Sequence, residues 1–201
     1  GKSILKARRH EIATIGMGRT FQNVALFDNM SVLDNVKVGC HSESTTGFIQ
    51  NALRLPGVAE QERRITRRAS ELIEFMDLPA FTRAPAGPLP FPIRKRVELA
   101  RALAGKPSVI LADDPTAALD SENGQAIMAL LAEIAKDPTR AVLAVTHDPR
   151  TLSYADRIVH IEDGLIVREE RPEKKPVAGS GTDGPAGADS EPAPVEPELV
   201  P

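Results

Sequence analysis

Val109-Ile110-Leu111-Ala112-Asp113-Asp114-Pro115-Thr116-Ala117-Ala118-Leu119-Asp120 is the stretch that decides the fold. A short apolar run ends in two adjacent carboxylates, then Pro, then a turn of small residues closing on Asp. In an α/β sheet, a buried strand that delivers acids at its carboxyl end places them at the edge where ligands bind. One acid there can hold Mg2+ through water, and the next can orient or deprotonate an attacking water. An ordinary strand with an acidic exit is the competing interpretation of this stretch alone. Ala144-Val145-Thr146-His147-Asp148, a second apolar strand ending in His about 30 residues later, tips the balance toward a site.

The flanks alternate helix and strand. Ile93, Val97, Ala100, Leu103 and Ala104 form an apolar stripe at helical spacing, with Gly105 and Pro107 as a stop signal. After the strand 109–112, the pattern predicts a helix from Glu122 to Lys136 capped by Ser121. A strand from Ala141 to Val145 and a short helix from Pro149 follow. Ile158 to Glu162, the turn Asp163-Gly164 and Leu165 to Arg168 read as a β-hairpin. Upstream, residues 1–22 read as the last piece of a β-rich subdomain and residues 24–86 as mostly helical. Within the latter, Ile65, Ala69, Leu72, Ile73 and Met76 give one apolar face to a helix over 58–77. Arg63, Arg64, Arg67 and Arg68 fall on its wet side, as a solvated face rather than a nucleic-acid site. Ser42 to Gly57 is polar and reads as a loop. Strands alternating with helices argue an α/β fold with a mostly parallel sheet.

Composition narrows the field. The 201 residues allow one domain of ordinary size, and the formal charge is −3. Residues 176–201 hold five acids (Asp183, Asp189, Glu191, Glu196, Glu198) and no Lys or Arg, so the rest is nearly balanced and no nucleic-acid partner is expected. The single Cys40 cannot form an intramolecular disulfide and fits a reducing compartment. No apolar run approaches the ~18 residues of a membrane span, and no signal peptide is visible at the start. Seven prolines fall among residues 171–201, with almost no large apolar groups, so residues 172–201 are expected to be a disordered Pro/Gly/Ala/acidic tail.

The acid and histidine strands resemble the Walker B, D-loop and H-loop of the ABC-type ATPases, the nucleotide-binding subunits of ABC transporters. Gly18-Arg19-Thr20-Phe21-Gln22-Asn23 resembles the family's Q-loop. Leu26-Phe27-Asp28-Asn29-Met30-Ser31-Val32-Leu33-Asp34-Asn35-Val36 resembles the start of its helical subdomain, and Leu89 to Ala104 its signature loop and following helix. Five blocks in family order cover roughly residues 1–170. The resemblance implies a partial P-loop NTPase fold over residues 1–171, with the helical subdomain at 24–86. Through Arg101 the chain looks closest to the branched-chain amino-acid importer group. From Val109 onward it looks more like the lipoprotein, macrolide and heterocyst-type exporters.

The same resemblance assigns roles. Asp113 takes the metal-coordinating position, with Gln22 reaching the metal or the attacking water. Asp114 stands where the family usually has the Glu base, and His147 at the switch histidine that contacts the γ-phosphate. Leu89, Pro90, Phe91, Pro92 and Ile93 take the place of the loop that holds the opposite subunit's γ-phosphate, and Asp120 ends the D-loop that meets that subunit. ATP and Mg2+ are the implied ligands. A transmembrane permease subunit and a second ATP-binding subunit, head to tail, are the implied partners. The implied place is the cytoplasm, peripheral on the inner face of the membrane.

Three departures stand out. A P-loop, G-x-x-x-x-G-K-S/T, supplies phosphate-binding N–H groups and a Lys. Gly1-Lys2-Ser3 resembles only its tail and reaches Gln22 too soon, so it reads as a hairpin turn, with the P-loop portion missing and expected upstream. Asp114 is one methylene shorter than Glu, about 1.5 Å along an extended side chain, and a misplacement on that scale costs on the order of a hundredfold in rate. Pro90 and Pro92 stand where the family favours Ser and Gly, which removes N–H donors from a helix start that would otherwise bind anions. The alternative function is therefore a non-catalytic domain that docks on a permease or on an intact ATPase partner.

Overall fold

The computed structural model describes residues 15–20, 24–40 and 58–172. Gln22, the turn at Gly1-Lys2-Ser3, the loop 42–57 and nearly all of the segment 172–201 lie outside the described residues. The elements are β1 (Met17–Thr20), α1 (Val32–Gly39), α2 (Val58–Phe75), a 3-10 turn (Pro79–Phe81), α3 (Phe91–Ala104), β2 (Val109–Asp113), α4 (Ser121–Ala135), β3 (Ala141–Val145), a 3-10 turn (Pro149–Tyr154), β4 (Ile158–Glu162) and β5 (Leu165–Glu170).

β1, β2 and β3 form a parallel sheet in the order β1-β2-β3. The register aligns Thr20 with Ala112 and Asp113 with Val145. All three strands therefore end at one edge, where parallel sheets present their loops to ligands. β4 and β5 form a separate antiparallel hairpin around Asp163-Gly164, both with positive φ, as a tight two-residue turn requires.

The core is one cluster. Val32, Val36 and Cys40 of the α1 segment, Ala69, Leu72, Ile73 and Met76 at α2, and Val97, Ala100, Leu103 and Ala104 of α3 close the helical side. Ile110 and Ala112 of β2 meet Ile127, Met128, Leu131 and Ile134 of α4 on the sheet side. Helix α1 begins at Ser31, whose hydroxyl accepts the Asp34 N–H and donates to the Asp34 carboxylate. It ends at Gly39, where the α1 backbone lies so close to α3 that an added Cβ would stand 2.1 Å from the Arg101 carbonyl oxygen. Only a residue without a side chain fits there.

Asn35 holds the loop ahead of α1. It is fully buried, its Oδ1 accepts the Phe27 N–H, and its amide donates to the carbonyls of Phe27, Met30 and Ser31. That loop in turn pairs with residues 84–87: the N–H groups of Val32, Ala86 and Gly87 donate to Ala84, Met30 and Asp28. The approach to Leu89 is fixed by these bonds.

The sequence reading needs three adjustments. The cap of α4 is Asp120, not Ser121: its carboxylate accepts the Asn123 N–H at 2.9 Å, and Ser121 is the first helical residue. Helix α3 starts two residues earlier than its apolar stripe, because Pro92 tolerates the first turn. Arg68 is half-buried rather than on the wet face, 4.0 Å from Glu71. Leu143 and Val145 of β3 and Ile161, Leu165, Ile166 and Val167 of the hairpin are exposed.

Candidate functional site

The acid pair sits where β2 runs out of sheet. Asp113 is the last strand residue, and its carboxylate lies 3.1 Å from the Arg19 guanidinium on neighbouring β1. Both side chains are about half exposed, so the pair adds little stability. It does hold the Asp113 carboxylate at the open edge.

Asp114 continues the ladder by one bond, donating its N–H to the Val145 carbonyl at 2.8 Å. There the backbone turns: φ is +43° at Asp114 and +58° at Ala118. The turn closes through Ala117 N–H to the Asp114 carbonyl and Leu119 N–H to the Thr116 carbonyl. Asp tolerates left-handed backbone better than most residues. This geometry turns the carboxylate inward, leaving it 12% exposed, with Oδ2 3.1 Å from His147 Nδ1. Asp114 Oδ1 is buried and accepts no hydrogen bond from any described residue.

His147 comes from the adjacent strand. β3 ends at Val145, and the imidazole lies two residues on, 86% exposed at the open edge. The loop that carries it is pinned. Asp148 accepts the Arg150 N–H and caps the 3-10 turn. The Arg150 guanidinium grips the Asp148 carboxylate through Nε and Nη2 and donates from Nη1 to Ser121 Oγ at 2.6 Å. Those bonds push the Asp148 carboxyl below its ordinary range and raise Arg150. The His loop and the start of α4 are thereby one connected unit.

Asp120 stands at that same helix start, exposed, with its carboxylate engaged by the backbone and side-chain amides of Asn123, which lowers its pKa. Leu89 to Ile93 form the start of α3. Pro90 occupies the cap without a side-chain bond, and Pro92 lies in the first turn. The Arg94 N–H already bonds the Pro90 carbonyl, so Phe91 and Ile93 supply the first-turn N–H groups. Arg94 fastens this start to Asp28 at 2.8 Å.

Of the residues singled out in the sequence, the structure brings Asp113, Asp114 and His147 together at one edge. Asp120 and Leu89–Ile93 lie at two helix starts, and Gln22 falls outside the described residues. Three contributors went unread. Arg19 on Asp113 was within a quoted motif but has no local signal for a partner 94 residues away. Arg150 could have been found from Asp148-Pro149-Arg150, a turn-and-cap pattern. Lys95 is buried on α3, and burial lowers its pKa while Glu98, Asp114 and Asp113 pull it back up.

A parallel sheet presenting two acids and a histidine at the ends of adjacent strands makes this an α/β protein, and its structural likeness to ABC ATPase cassettes places the fold in the P-loop NTPase class. Residues 1–117 match the ABC transporter family. The high-affinity branched-chain amino acid transport ATP-binding protein BraF of Pseudomonas aeruginosa is 31% identical over 175 residues, covering 87% of this chain and 69% of BraF. The macrolide export ATP-binding/permease protein MacB of Nitrobacter winogradskyi is 32% identical over 185 residues, 90% of this chain and 26% of MacB. The cassette MJ0796, solved as a dimer in a post-hydrolysis state bound to ADP and Pi, superposes with a TM-score of 0.66 at 30% identity, over 83% of this chain and 68% of that one. The chain belongs to the ABC transporter family. A branched-chain importer protein and a macrolide exporter both match, each across most of the chain. Among the described residues, no helix is long and apolar enough to cross a membrane.

Proposed function

We propose that this chain works as the nucleotide-binding subunit of a membrane transporter, with Mg-ATP at the edge formed by Asp113, Asp114 and His147. The convergence of those three groups from two adjacent parallel strands carries the reading. The donor set fits the ligands. Asp113 offers a half-exposed carboxylate suited to a water-coordinated hard cation, and His147 is exposed enough to meet a phosphate. When bound, Mg2+ would neutralise charge on the phosphates.

The chain's own groups then divide the work. Asp114 is the base for the attacking water, its Oδ2 lying 3.1 Å from His147 Nδ1. His147 contacts the γ-phosphate, and Gln22 completes the water and metal site. Leu89, Pro90, Phe91, Pro92 and Ile93 face the nucleotide of a second ATP-binding subunit, to which Asp120 also turns. Residues 24–86 form the helical subdomain, and a transmembrane permease docks the subunit on the cytoplasmic face of the membrane.

The test compares this chain with the polypeptide that includes the upstream coding sequence. The 201-residue chain is expected to show no ATP turnover above background. The longer polypeptide is expected to bind Mg-ATP, with affinity lowered by Asp113→Asn. Turnover by the 201 residues alone that Asp113→Asn abolishes would sink the first expectation. A P-loop-bearing polypeptide that binds no ATP would sink the proposal as a whole. Binding without turnover, unchanged by Asp114→Glu, would favour the non-catalytic docking domain.

A further inference from the structure

His147 stands between two anchors. On one side β3 ends at Val145, whose carbonyl accepts the Asp114 N–H at 2.8 Å. On the other, Asp148 closes a turn on itself: its N–H donates to Thr146 Oγ1, and its carbonyl accepts from the Thr151 N–H and hydroxyl. Only Thr146 and His147 lie between these points, so the placement of Asp148 sets the reach of the imidazole. Arg150 holds Asp148 in turn. The Asp148 carboxylate, 15% exposed, takes Nε and Nη2 of Arg150 as a fork at 2.8–3.1 Å, and Nη1 of the same guanidinium donates to Ser121 Oγ at 2.6 Å. An exposed ion pair ordinarily adds little, but a two-pronged guanidinium–carboxylate pair fixes geometry. Ser121 is the first residue of α4, next to Asp120, whose carboxylate caps that helix. One side chain therefore joins two segments that are 29 residues apart.

We propose that Arg150 is a positioning residue: its bond to Ser121 fixes the His147 loop to the start of α4, so that a displacement of Asp120 moves the imidazole. In the nucleotide reading above, contact with a second subunit at Asp120 is thereby felt at the residue that meets the γ-phosphate. That last consequence rests on the nucleotide reading, whereas the link itself does not.

The link is read in the 201-residue chain without nucleotide, by backbone 15N relaxation and amide shifts. Ser121→Ala removes one hydroxyl and keeps both the Arg150–Asp148 fork and the Asp120 cap; Ala is a good helix former, so α4 persists. The order parameter at His147 is expected to fall from the rigid range, about 0.85, to below about 0.6, while those of α4 stay in place. Ser121→Thr restores a hydroxyl and is expected to keep His147 ordered. Arg150→Lys is expected not to, because a point charge cannot fork onto Asp148 and reach Ser121 at once. An unchanged order parameter at His147 in Ser121→Ala overturns the proposal.

A second measurement follows the transmission. Asp120→Ala is expected to shift the His147 amide resonance in the otherwise unchanged chain, and that shift is expected to vanish in an Arg150→Met background, since changes within one hydrogen-bonded network are not additive. A shift of equal size with and without Arg150, or no shift at all, overturns the proposal. Neither measurement involves nucleotide. Failure of ATP binding and failure of this link are therefore distinguishable.

Discussion

Two glycine-to-alanine substitutions in this chain should have opposite signs, and the pair tests how tightly the helical side is packed. At Gly39 a Cβ would stand 2.1 Å from the Arg101 carbonyl oxygen and 2.9 Å from the Ala104 Cβ. Ordinary carbon–oxygen contacts begin near ~3.3 Å, so α1 and α3 must part by about 1.2 Å. That movement loosens the contacts of Val32 and Val36 with the α3 face. Overpacking of this kind costs about 1–3 kcal/mol and occasionally more, against a gain of about 1 kcal/mol for removing glycine from a helix. Because the clash is with backbone, the upper end applies, and the net loss is about 2 kcal/mol. For a domain of this size that is a fall in Tm of about 4–8 °C. At Gly124, within α4, the added Cβ would meet Thr116 Cγ2 at 3.5 Å, an ordinary contact. Gly124→Ala should therefore stabilise by about 0.5–1 kcal/mol. Thermal and urea unfolding followed by circular dichroism on both variants measures the contrast. Gly39→Ala melting at or above the parent, or Gly124→Ala falling as far as Gly39→Ala, would refute the packing argument.

Asn35→Ala should cost on the order of 2–3 kcal/mol in urea unfolding, because the fully buried Asn35 gives up its bonds to the Phe27 N–H and to the carbonyls of Phe27, Met30 and Ser31; Asn35→Asp should not rescue it, since it sets a carboxylate against three carbonyls. Asp120→Ala should lower stability at neutral pH. The folded carboxyl is depressed, so its contribution is present above the ordinary value of 3.8 and is lost as pH falls through the lowered one; parent and variant melting points should converge in acid. In the P-loop-bearing polypeptide, Asp114→Glu should raise turnover with little change in ATP affinity, because the base acts in the transition state, and it should lower Tm because Glu is poorly suited to φ +43°. Pro92→Gly should instead strengthen ATP-driven dimerisation in sedimentation, by restoring a first-turn N–H. If neither variant differs from its parent, the site has decayed beyond these two positions.

Local chemistry made the strands and helices legible. β2 and β3 announced themselves as short apolar runs with polar exits, and the hairpin through Asp163-Gly164. Boundaries failed where two adjacent residues carried the same signal. Asp120 and Ser121 are both good caps, and only the extended backbone at Asp120, φ −67° and ψ 171°, selects between them. Of the site, the residues at strand ends were readable because alternation of sheet and helix fixes where such ends must lie. Contacts made by folding were not. Helical periodicity counts apolar side chains, so a Lys on the buried face of α3 passes as a surface charge. Nothing near Arg150 in sequence points to Ser121, 29 residues away.

The outward-facing apolar side chains of β3 and the hairpin bear on the colloidal behaviour of the chain. β3 ends the sheet among the described residues, with Leu143 58% and Val145 53% exposed. A strand edge with free backbone groups and greasy neighbours is a template for pairing with another molecule. Leu165 and Ile166, near 70% exposed, add a second such surface. Sulfate and phosphate, which strengthen apolar burial by exclusion from the protein surface, should therefore drive these molecules together, and mild urea should keep them apart well below the concentration that unfolds the core.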